Sequence, residues 1–218
     1  YHWSEWQWLR KDEPSTALSL TEIVAKRPLH QTVVSYVVLG FEHILPKGMD
    51  HILFILGLFL FAAAFKPLLW QVTMFTVAHT ITLGLAMNSI ISLPANIVEP
   101  LIALSIAYVG IENIFAKQLN NSRLLLVFLF GLLHGLGFAS VLADFGMPED
   151  AFVTALISFN VGVEIGQLAI ILVAFLLLGF WFGKKAWYKK LITTPASFGI
   201  ALVAFYWFIE RLDLNYFK

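Results

Sequence analysis

Four of the six histidines in this cysteine-free chain of 218 residues, His43, His51, His79 and His134, lie in or beside strongly apolar segments. Ionisable groups in a bilayer are expensive and normally face a protein interior or a watery cavity, so several of them in one chain mark a functional path. Imidazole suits nickel, zinc and copper, and with no thiol available any metal must be held by His, carboxylate, amide or hydroxyl groups. Asp50 directly precedes His51, and Glu164 sits deep in a later apolar run. Asn160, Glu164 and Gln167 follow an i, i+4, i+7 spacing and line one helix face, and Thr76, His79 and Thr80 form a similar stripe on another. The expected metal ligands are therefore His43, Asp50, His51, His79, His134 and Glu164. Glu99, Asn160, Gln167, Thr76 and Thr80 are expected to support them. Each has a plainer reading too: Asp50 and Glu99 as helix caps, and His79 and His134 as interhelical hydrogen bonders. His2 and His30 stand outside the pattern, and no catalytic residue or organic cofactor is indicated.

Composition says where such a site must sit. Hydrophobic residues make up 59% of the chain and charged ones 13%, against roughly 45–50% and 25% in soluble proteins, so this is an integral membrane protein. The formal charge is zero and Lys and Arg gather at segment ends, which excludes a nucleic-acid partner. The expected fold is all-α: a polytopic bundle of six to seven transmembrane helices. Crossings are suggested near 50–66, 68–92, 97–116, 124–143, 151–182 and 194–210, each close to the roughly 20 apolar residues that span hydrocarbon. Segment 32–46 is shorter and more polar; it is a seventh crossing, an amphipathic helix or a re-entrant one. Residues 1–31, rich in Trp and charge, read as an interfacial, extracytoplasmic head ahead of a bundle over 32–218. The opening Tyr1 suggests a processed N-terminus.

Loop charges give an orientation. Lys66, Lys117, Arg123, Lys184, Lys185, Lys189 and Lys190 fall on one side of six crossings, and Asp144, Glu149 and Asp150 on the other. The positive-inside rule makes the lysine side cytoplasmic, so the candidate site faces the extracytoplasmic half of a bacterial inner membrane. Around His134, Gly131 and Gly135 stand four residues apart, which allows close helix approach.

The string Leu39-Gly-Phe-Glu-His43-Ile-Leu45, followed by Gly48-Met-Asp50-His51-Ile-Leu-Phe54, resembles the first signature of the HupE/UreJ family of hydrogenase and urease accessory membrane proteins, in its second branch. Further similar strings are Phe75-Thr-Val-Ala-His79-Thr-Ile-Thr-Leu83, Val98-Glu99 with Ile102-Ala-Leu-Ser105, Phe130-Gly-Leu-Leu-His134-Gly-Leu-Gly-Phe138 and Phe159-Asn160-Val-Gly-Val-Glu164-Ile-Gly-Gln167. The resemblance implies a polytopic inner-membrane protein acting as a permease for nickel or another transition metal, with a signal peptide and an extracytoplasmic N-terminal region. Three functions fit the residues: transport of a divalent transition metal ion, hydrolysis by an intramembrane zinc site, or a metal-handling subunit that serves another membrane complex or a metalloenzyme maturation system.

Overall fold

A backbone inside hydrocarbon must satisfy its own hydrogen bonds, and this chain does so with helices. The computed structural model describes residues 28–61, 65–116, 122–145 and 147–212. Its main elements are α1 (Leu29–Ile44), α2 (Met49–Phe61), α3 (Phe65–Met87), α4 (Ala95–Phe115), α5 (Ser122–Phe145), α6 (Phe152–Ala174) and α7 (Thr194–Arg211), with no strand among the described residues. A π-helical turn, Phe175–Gly179, carries α6 on to Phe182, and another, Lys189–Thr193, leads into α7. The head expected over 1–31 lies almost wholly outside the described residues; α1 already begins at Leu29.

Five helices are long and apolar enough to cross a membrane alone: 65–87, 95–115, 122–139, 152–182 and 189–211. The crossing expected over 50–66 is different. Its helix, α2, is described over Met49–Phe61, 13 residues. It passes as a span only jointly with α1, from which it is bent by 71°, and this bent pair brings the total to six. A seventh, separate crossing is not found among the described residues. Segment 32–46 is carried by α1, which with α2 forms the bent pair, a broken span or a re-entrant one.

Lipid is as apolar as leucine, so helices in a membrane associate through close packing and not through burial of apolar surface. The most extensive pairings here are α1 with α6, α3 with α5 and α4 with α7, while α2 runs between them and touches α4, α6 and α7. Glycine lies at the tightest approach of each pair. A Cβ on Gly131 would stand 2.9 Å from the Ala78 Cβ, and one on Gly110 would stand 2.8 Å from the Ser197 carbonyl oxygen. Gly40 and Gly162 meet the backbones of Phe159 and Val37 in the same way. Phe54, Phe59, Phe75 and Phe159 fill the interior, each fully buried.

The helix order gives the bundle two ends. At one, the site end, α2 and α4 begin and α7 finishes, which brings Asp50, Glu99 and Arg211 together. The other, the lysine end, holds Lys66, Lys184, Lys185, Lys189 and Lys190. Arg123, counted in sequence as a loop charge of that side, is instead buried in the first turn of α5.

Candidate metal centre

The corner between α1 and α2 is what assembles the histidines. It turns His43, in the last turn of α1, back onto His51, in the first turn of α2, with ring centroids 4.7 Å apart. His79, midway along α3, lies 6.0 Å from the first ring and 5.9 Å from the second. One ligand nitrogen of each of the three lies within 4.8 Å of the others. A tetrahedral ion with metal–nitrogen bonds of 2.0–2.1 Å holds its nitrogens roughly 3.3 Å apart, so the set must close by about 1.5 Å at its widest.

The chemistry of the donors fits a metal better than a packed core. Nε2 of His43, of His51 and of His79 are buried and have no hydrogen-bond partner. One stranded polar atom costs about 1–3 kcal/mol, and three on clustered rings ask for a shared electron-pair acceptor. The tautomer of His79 follows from its neighbours. Asn160 Nδ2 donates to the Leu156 carbonyl oxygen at 2.8 Å, which leaves its Oδ1 to accept from His79 Nδ1–H at 3.0 Å. His79 Nε2 is therefore a bare lone pair, in the orientation that a carbonyl oxygen behind the ring gives to ligating histidines.

His134, on α5, stands beside this set. Its ring centroid is 4.9 Å from that of His51. Ser105 spends its hydroxyl hydrogen on the Ile102 carbonyl at 2.7 Å, so its Oγ accepts from His134 Nε2–H at 3.3 Å. That leaves His134 Nδ1 as the lone-pair nitrogen, buried and without a partner.

A cavity of about 530 Å³ opens over the group, lined by His43, His51 and His134 together with Asp50, Glu99 and Arg211. His79 lies behind the first two. Of the expected ligands, Asp50 and Glu164 are engaged elsewhere and do not join the nitrogen set. Asp50 takes Arg211 Nη2 at 3.1 and 3.2 Å on its two oxygens. Glu164 accepts from Thr73 Oγ1 at 2.7 Å and from Thr76 Oγ1. Among the supporting residues, Asn160 orients His79, Gln167 meets Thr76 at 3.2 Å, Thr80 bonds the Thr76 carbonyl oxygen of its own helix, and the Glu99 side chain is exposed near the cavity mouth.

Sequence reasoning passed over Arg211 and Arg123 as functional side chains. Arg211 pairs with a residue 161 positions away, which no local spacing reveals. Arg123 had a usable signal: Glu112 and Asn113 end the preceding helix across a short connection, within reach of the first turn of the next.

Comparison with known proteins bears on this geometry. A family model described as HupE / UreJ protein matches residues 20–211, which takes in all the described helices and the four histidines. No curated protein and no solved structure matches the chain.

Proposed function

The chain belongs to the HupE/UreJ family, and from that premise we propose that it binds a divalent transition metal ion, nickel, zinc or copper, and carries it across a bacterial inner membrane. His43, His51 and His79 are the ligands, with His134 as an adjoining nitrogen along the cavity wall. The observation that carries this reading is the convergence of three unpartnered imidazole nitrogens under an open cavity. All-imidazole donors favour borderline ions over magnesium or calcium, which prefer oxygen. The lysine end is cytoplasmic by the positive-inside rule, so the cavity and residues 1–31 face outward and the bundle is open to that side. Metal that reaches the cytoplasm is then available to a metalloenzyme maturation system.

The test is direct. Protein purified without a His tag is loaded with each ion, dialysed and analysed for bound metal, then placed in liposomes that contain a metal-sensing dye. One ion per chain and dye response are expected for wild type, and neither for His51→Ala or His79→Ala. Wild type that holds no stoichiometric metal sinks the reading.

A second reading rests on one feature of the same centre. A zinc held by three nitrogens would keep a further position for water and activate it, so metal-dependent hydrolysis of a lipid or peptide is the alternative. Release of fatty acid or peptide from bilayer substrates, with no dye response in the liposome lumen, would favour it.

A further inference from the structure

One turn beyond Asn160, about 6 Å further toward the lysine end, α6 presents a different group of atoms to α3. Glu164 receives Thr73 Oγ1 at 2.7 Å and Thr76 Oγ1 on its other oxygen, and Gln167 Oε1 stands 3.2 Å from the same Thr76 Oγ1. Every donor atom here is oxygen, whereas the centre above is all nitrogen. The ion pairs among the described residues, Lys47–Glu42, Arg123–Glu112 and Arg211–Asp50, leave Glu164 without a basic partner. A carboxylate midway along a spanning helix calls for compensation.

Counting hydrogens points to what is missing. Thr76 owns one hydroxyl hydrogen, yet its oxygen faces two acceptors, Glu164 Oε2 and Gln167 Oε1. One of these contacts therefore sets oxygen against oxygen. Gln167 Nε2, fully buried, has no partner at all. Turning the amide over would mend the contact and strand its oxygen instead, so in either orientation the Gln167 oxygen lacks a donor.

We propose that Glu164, Thr73, Thr76 and Gln167 form a second cation station, which takes a hard monovalent cation, an alkali ion or a proton, and not the transition metal. One carboxylate matches one positive charge, and hydroxyl and amide oxygens suit a hard ion. The titratable side chains on the helices packed against α6 include His79 of α3, linked through Asn160, Tyr36 and His43 of α1, and His51 of α2; the hydrogen bonds Glu164 accepts come from Thr73 and Thr76. As a binding site the station is independent of the metal reading. As the seat of a coupling ion, one helical turn from the metal ligands, it rests on the transport function.

The experiment uses metal-free, full-length protein in lipid nanodiscs. Its melting temperature is followed as sodium chloride replaces choline chloride, and its infrared spectrum is searched for the carbonyl band of a protonated carboxylic acid. An alkali occupant gives a saturable rise of about 5 °C that Glu164→Gln and Thr76→Val remove. A proton occupant gives no sodium response but a carboxylic acid band that Glu164→Gln abolishes and Thr76→Val shifts. Metal stoichiometry is measured on the same wild-type preparation. If metal binds and neither signal appears, the station is overturned and the metal reading stands. If a signal appears and no metal binds, the station stands and the metal reading falls.

Discussion

Two buried polar centres, one near each end of the bundle, handle their hydrogen bonds in opposite ways. At the lysine end Arg123 donates from Nε to Gln71 Oε1 at 3.1 Å, from Nη1 to Glu112 Oε2 at 2.7 Å and from Nη2 to Asn113 Oδ1 at 3.3 Å, and it lies over the Phe61 ring at 4.5 Å. Asn113 in turn donates to the Gly57 carbonyl at 2.7 Å and to Ser197 Oγ at 3.1 Å. Five helices meet in this node, and none of its side-chain polar atoms is left buried without a partner. At the site end four histidines each keep one ring nitrogen unpaired. A satisfied network specifies a structure; a set of stranded lone pairs holds stability back for a ligand. The node's guanidinium is matched by the Glu112 carboxylate, so the pair adds no net charge to the lysine end.

The largest expected effect comes from removing a ligand. His51→Ala and His79→Ala should each abolish metal binding, read as bound metal per chain, while metal-free stability stays within about 1 kcal/mol of wild type because an unpaired buried nitrogen is lost along with the packing. A similar loss of stability and metal would erase the contrast between the two centres. Next is Arg123→Met, which strands Glu112 in the bundle and should cost about 3–5 kcal/mol in denaturant unfolding. Adding Glu112→Leu should recover part of that loss, because Gln71 Oε1 and Asn113 Oδ1 stay without their donor, whereas a node of no structural weight would show little change in either variant. Asn160→Leu tests the link between centre and scaffold. It removes the acceptor that fixes the His79 tautomer and should weaken metal affinity about 10- to 100-fold by titration, with all three ligands still present. Smallest is His30→Ala: His30 is exposed in the first turn of α1, and metal content and stability should match wild type.

Much of this was legible because membrane helices obey length and polarity rules that act locally. The apolar runs gave α3 to α7, Gly131 and Gly135 announced the tight seam of α3 with α5, and the stripe of Asn160, Glu164 and Gln167 does face Thr76 and His79. What escaped depends on distant partners. The run 50–66 looks long enough to cross, but nothing local says that α2 meets α1 at 71°. Asp50 and Glu164 read as ligands because of their neighbours in sequence. In the structure their side chains meet Arg211, 161 residues on, and the two threonines, about 90 residues back.

The break between α1 and α2 has an electrostatic consequence as well as a geometric one. Each half-helix ends near the centre, α1 by its C-terminus at Ile44 and α2 by its N-terminus at Met49. Aligned peptide dipoles put about half a negative charge at the first and half a positive charge at the second. A continuous helix would cancel the two; a broken one exposes both. Asp50, in the first turn of α2, offsets the positive end, and His43 sits in the last turn of α1 at the negative one. The corner therefore sets a negative backbone end on the His43 side, which favours a cation there by about 0.3–1 kcal/mol, beside a positive one on the His51 side, which the Asp50 carboxylate offsets.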